Sequence, residues 1–142
     1  CALLSIRDNI KALIDAGART FLVANVPDLG LIPAVRLLGQ DAQDAATGAS
    51  FLFNQQLEAI LGLFETTLGD QVSFDLLNTF QLIQGIVDNP PPKLNVTDPC
   101  INVFNGGACA PAKNHLFWDG IHPTKTGHAF LAEEAANVLG LN

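Results

Sequence analysis

The chain has 142 residues, 49% hydrophobic and 15% charged, with a formal net charge of −7. That length suits one domain, and the apolar content supports a core, which excludes wholesale disorder. Its seven basic residues are scattered, which argues against a nucleic-acid partner. No apolar run reaches the roughly 18–20 residues of a membrane span. From the start of the chain, residues 3–16 form an amphipathic helix: Leu3, Ile6, Ile10, Leu13 and Ile14 recur at three- and four-residue steps, and Gly17 ends it. The helical pattern is already under way at "CALLSIRDN", with no cap before it, so further sequence is expected upstream. "TFLVANV", 20–26, is a short β-rich run that predicts a strand buried on both faces, and Pro27 closes it.

A loop, "PDLGLIPA", leads to the longest helical pattern, 41–68, with Ala46, Ala49, Phe53, Leu57, Ile60, Phe64 and Leu68 on its inner face. Gly69 and Asp70 turn the chain into a second predicted strand, "QVSFDL", 71–76, followed by a short helix to about 87. From Asp88 to about His115 the composition, with "NPPP", "DPC" and "NGG", predicts a long structureless stretch, functional or cross-linked. Thr124 then caps a last helix to about Leu139, with His128 on its inner face. Alternating helices and strands point to an α/β layered fold with a parallel sheet. Two strands make a poor sheet, a second sign that the sequence continues upstream.

Cysteines 100 and 109 share one Pro/Gly/Asn-rich loop, where a short disulfide is expected; two reduced thiols are the alternative. Cys1 is left over and would pair with a residue upstream, or be a lipidated N-terminus. "NVT" at Asn95 is a formal glycosylation sequon.

The chemistry gathers in "LFWDGIHPT", 116–124, where Asp119 and His122 stand three residues apart just before the last helix. A carboxylate there can accept a hydrogen bond from one ring N–H of His122 while the other nitrogen acts as a base. Capping of the helix start by these residues is the plainer alternative, and spacing alone does not decide between them. For a metal, two ligands are too few, and neither His115 nor His128 adds a partner at a recognised spacing. No metal or cofactor is expected.

"FWDGIHPT" followed by a helix resembles the last sequence block of the GDSL, or SGNH, esterases and lipases. "FLVANVPDLGLIPA" is similar to the strand and loop of their lecithinase-like branch. The resemblance implies a three-layer α/β/α sandwich with a parallel sheet, of which residues 1–142 would be the C-terminal portion of a single domain. It makes Asp119 the orienting acid and His122 the general base of a Ser-His-Asp triad acting on an ester. The family's Gly-Asp-Ser nucleophile block is absent, as are the two blocks that supply its oxyanion hole. "GDQ" at Gly69–Gln71 has no serine in place, and Ser5, Ser50 and Ser73 lie on predicted helices or a strand with no elbow around them. The nucleophile is therefore expected upstream, and this chain alone is expected to be inactive. Pro27, Leu29 and Leu31 either line an acyl pocket or pack on neighbouring helices, and Asp28 caps a turn or else faces the site. The partner is a small-molecule or lipid ester, and the compartment, inferred from the disulfide and the family habit, is secreted or periplasmic. Two alternatives from other classes are a non-catalytic partner-binding module and a flavodoxin-like nucleotide binder; the second lacks a glycine-rich phosphate turn.

Overall fold

The computed structural model describes residues 2–101 and 106–141. Cys1 and its expected partner lie outside them. The order is α1 (Ala2–Asp15), β1 (Thr20–Ala24), α2 (Pro33–Arg36), α3 (Gln40–Leu68), β2 (Ser73–Leu77), α4 (Thr79–Asp88), β3 (Asn95–Pro99), β4 (His115–Phe117) and α5 (Lys125–Val138). β1 and β2 pair in parallel, in register from Thr20 opposite Ser73 to Ala24 opposite Leu77. β3 and β4 form a second parallel pair. The fold is α/β, as the alternating order predicts.

Apart from Leu13, which is exposed, the apolar face of α1 packs as expected. Leu3 and Ile10 of α1 and Leu57 and Leu61 of α3 are buried together, against Val23, Phe74 and Leu76 of the strands. Phe74 stacks on Phe21 across the strand pair, with centroids 5.0 Å apart, and meets Phe64 of α3 at 6.0 Å. A second cluster joins Ile86 of α4, Val96 of β3, and Leu116 and Phe117 of β4, with Phe130 of α5 packed against it. Gly17, with φ at 106°, takes the left-handed conformation that ends α1.

Four expectations need correction. β1 is not buried on both faces: Phe21 and Val23 are half-buried, whereas Thr20, Leu22 and Ala24 are exposed. α5 packs chiefly on β2 and β4. The second strand begins at Ser73, because Gly69–Gln71 coils into a 3-10 turn first. The stretch Asp88–His115 is not structureless, since its two ends form β3 and β4 and bond to each other. Finally, Ala49 is exposed, and its neighbours Ser50 and Asn54 take the buried positions on α3 because they bond to the loop after β1.

Candidate active site

β4 supplies a rigid base. Leu116 is wholly buried and Phe117 nearly so. The chain then makes a tight loop from Trp118 to Pro123. Its neck is closed by the Trp118 amide donating to the His122 carbonyl at 2.8 Å and the Thr124 amide donating to the Leu116 carbonyl at 2.9 Å. Thr124 caps α5 as predicted: its hydroxyl accepts from the Gly127 amide and donates to the His115 carbonyl at 2.6 Å. Gly127 has a steric reason to be glycine. A Cβ there would lie 2.7 Å from the Pro123 Cβ and 2.8 Å from the Leu116 carbonyl oxygen, so α5 approaches β4 too closely for any side chain.

On this base the loop carries Asp119 and His122. One carboxylate oxygen of Asp119, Oδ1, accepts the His122 amide at 2.7 Å and the Ile121 amide at 2.8 Å. The other, Oδ2, lies 2.8 Å from His122 Nδ1. The backbone amide of His122, then that of Ile121, lowers the Asp119 pKa from 3.8 to about 2, with the His122 ring adding to the same effect. An ionised carboxylate only accepts, so Nδ1 is the donor, and in the neutral ring Nε2 carries the lone pair. The side chains are 33% exposed at Asp119 and 71% at His122, so Nε2 is open to a reacting group. Capping alone would be satisfied by Oδ1; the second oxygen is committed to the imidazole. Phe117, just before the turn, is buried with Ile86, Val96 and Leu116, and Trp118 beside it is partly exposed.

Residues 1–135 match the family model of GDSL-like lipases and acylhydrolases. The chain belongs to that family. It is 30% identical to a GDSL esterase/lipase of Arabidopsis thaliana over 131 residues, which are 90% of this chain and 38% of that protein. It is also 30% identical to the anther-specific proline-rich protein APG of Arabidopsis thaliana, over 92% of this chain and 28% of that one. A thermolabile hemolysin of Vibrio parahaemolyticus is 25% identical over 89% of this chain and 34% of its own length. The chain thus spans well under half the length of each of these relatives.

Within this GDSL-family chain the other expected residues are placed as follows. Cys100 and Cys109 are joined in a disulfide. The Cys100 and Ile101 amides donate to the carbonyls of Phe117 and Trp118, so the bridged loop braces the strand that presents Asp119. His115 opens β4 instead of lying in a loop, and its Nδ1 is buried without a hydrogen-bond partner. Its ring comes within 4.8 Å of both bridged sulfurs, a grouping that the spacing in the sequence did not reveal. His128 is exposed rather than packed, because Gly127 is the residue that faces β4. Ser5 lies on α1, Ser50 is buried on α3, and Ser73 opens β2; none sits on a strand-to-helix elbow. In the loop after β1, Pro27 is half-buried, and on the 3-10 turn Leu29–Leu31 that follows, Leu29 is exposed and Leu31 half-buried. Among the described residues no helix is long and apolar enough to cross a membrane.

Sequence reading missed a polar frame at the carboxyl ends of the first strand pair. Asn25 follows β1 and donates to the Asn78 Oδ1 that follows β2, at 3.0 Å. Thr79 and Phe80 donate back to Asn25. Asn54 of α3 both accepts from and donates to the Val26 backbone, at 2.9 and 2.8 Å. A cleft of about 500 Å³ lies here, lined by Asn25, Phe51, Asn54, Asn78, Phe80 and Gln81 among others. The only hint in the sequence was an asparagine directly after each strand. An apolar groove of about 300 Å³ between α1 and α3 shares no residue with the Asp119–His122 turn.

Proposed function

We propose that this chain carries the general base and its orienting acid for a serine ester hydrolase of the GDSL family. The observation that carries the reading is the 2.8 Å contact from Asp119 Oδ2 to an imidazole that is 71% exposed. In that reading His122 Nε2 takes the proton from a serine hydroxyl as its oxygen attacks the ester carbonyl. Asp119 holds the ring in the required tautomer and stabilises the imidazolium. The same nitrogen then protonates the leaving alcohol, and water attacks the acyl-enzyme by the reverse path. The serine and the oxyanion donors would come from sequence beyond these 142 residues, which would form the C-terminal portion of one hydrolase domain. Pro27, Leu29 and Leu31 would line the acyl side of the site. The disulfide supports an oxidising compartment, secreted or periplasmic.

The test is hydrolysis of p-nitrophenyl acyl esters by the chain alone and by the chain joined to a Gly-Asp-Ser-bearing segment of the family. Alone, it should be no faster than its His122→Ala variant. Joined, it should turn over, and His122→Ala should lower kcat at least about a hundredfold. His122-dependent turnover by the isolated chain would put the nucleophile inside it and overturn the split. A joined protein indifferent to His122 would leave a non-catalytic binding module.

A further inference from the structure

Asp28 caps the 3-10 turn Leu29–Leu31, but a cap has no need to be buried. Its carboxylate is 2% exposed and makes no ion pair among the described residues. Burying a carboxylate without a cation is costly, and this one is held by hydrogen bonds alone. Oδ1 accepts the Gly30 amide at 3.0 Å and the Thr47 hydroxyl at 2.6 Å; Oδ2 accepts Gln84 Nε2 at 2.8 Å. One side chain thereby ties the turn to both α3 and α4. Gly30 makes the seating tight, because a Cβ there would collide with the Thr47 hydroxyl and the Gln43 carbonyl.

The segment fixed in this way runs directly into the candidate site. The Leu31 amide donates to the Asp28 carbonyl at 3.2 Å, and Arg36 Nε donates to the Leu31 carbonyl at 2.8 Å, which locks the turn to α2. Ala34 lies in the first turn of α2, where backbone amides have no partner within the helix. Its amide donates instead to the Gly120 carbonyl at 2.9 Å, between Asp119 and His122. A Cβ at Gly120 would lie 3.2 Å from the Ala34 Cβ, so the two backbones are in close contact. Moving α2 moves the turn.

We infer that Asp28 is a positioning residue for the Asp119–His122 pair, acting through the Leu29–Arg36 segment and its bond to Gly120. The inference rests on the proposed role of His122 as base. Displacements of about 1 Å at such a distance lower rates by as much as about a hundredfold. Asp28→Asn keeps an acceptor for Gly30 and Thr47 and, with the Gln84 amide flipped, a partner for Gln84. Asp28→Ala keeps none of them.

The experiment is NMR of the chain with labelled histidine, following the ring signals of His122, together with ester turnover by the joined protein. Asp28→Ala and the milder Thr47→Val should both shift the His122 signals, and Asp28→Asn should restore them. In turnover, Asp28→Ala should lower kcat about tenfold or more with KM within about twofold. Leu57→Ala, a core change on the α1 side of α3, should leave the His122 ring signals in place at matched stability. If Asp28→Ala fails to fold, Thr47→Val decides. Unchanged His122 signals in the folded variants would overturn the inference. If the signals shift but His122→Ala itself leaves turnover intact, the coupling stands and the catalytic reading fails.

Discussion

Asp119 divides its two oxygens between backbone and ring: Oδ1 takes the Ile121 and His122 amides, and Oδ2 takes His122 Nδ1. Asp119→Asn therefore separates the two duties. The amide oxygen still accepts the two backbone donors, so the turn keeps its shape. The amide nitrogen cannot accept from Nδ1–H, so the ring loses the partner that fixes its tautomer. In a protein that also carries the nucleophile, kcat should fall at least about a hundredfold. Thermal unfolding of the variant should fall no further than that of the parent does when Asp119 is protonated, and a mild kinetic effect would return Asp119 to a purely structural role.

The same bonds set a pH dependence. Asp119 has its pKa lowered from 3.8 to about 2 on folding, chiefly by the His122 amide and then the Ile121 amide. A lowered carboxylate pKa stabilises the folded state above the unfolded value, and that contribution is lost as pH falls through the folded value. The window is therefore from about 4 down to about 2. Carboxyl-carbon NMR should give Asp119 a midpoint near 2, with the Ile121 and His122 amide shifts moving in step. A midpoint near 3.8 would mean that the turn is not formed in solution.

Gly127→Ala tests the packing beneath the loop. The added methyl meets Pro123 and the Leu116 carbonyl inside 3.0 Å, and Leu116 is wholly buried and has nowhere to go. Overpacking of this kind costs about 1–3 kcal/mol, which the helix propensity gained by losing a glycine, about 1 kcal/mol, offsets only in part. Pro123 adjoins His122, so its displacement should also lower kcat. Gly62→Ala on α3 is the control: a Cβ there meets nothing within 4 Å, and denaturant unfolding should show a neutral or slightly stabilising change.

Leu29 is the exposed apolar residue of the turn after β1. If it contacts the acyl chain, Leu29→Ala should raise KM for octanoyl esters several-fold and leave acetyl esters unchanged, since each buried methylene is worth about 0.8 kcal/mol. Equal effects on both esters would return Leu29 to helix packing.

What was legible in the sequence followed from periodicity and local chemistry. Leu3, Ile10, Leu57 and Leu61 have the spacing of helix faces that meet a core, and they do. Thr124 and Asp28 are caps by residue type and position, and both cap. What was missed depends on distant partners. Asn95–Pro99 and His115–Phe117 are short and lie among prolines, so only their pairing with each other makes them strands. Ser50 and Asn54 break the apolar stripe of α3 because their partners are backbone atoms of the loop after β1, more than twenty residues away. The acid–histidine pair was visible by spacing, but its bond to α2 through Gly120 was not, because nothing in "DGIH" encodes the approach of Ala34.

The disulfide provides a test that joins stability to the site. Cys100 and Cys109 close a short loop, and the chain-entropy model gives such a bridge about 2–3 kcal/mol. Cys100 and Ile101 also bond to the carbonyls of Phe117 and Trp118, so freeing the loop loosens the strand that leads into Asp119. Thermal unfolding should fall by several degrees on adding a thiol reductant, and the Cys100→Ser/Cys109→Ser variant should start at the lower value and ignore the reductant. The amide signals of Trp118 and Asp119 should broaden in both cases, while those of α1 stay sharp. A parent protein whose unfolding ignores reductant would show that these cysteines are not bridged in solution, and it would remove the physical support for an oxidising compartment.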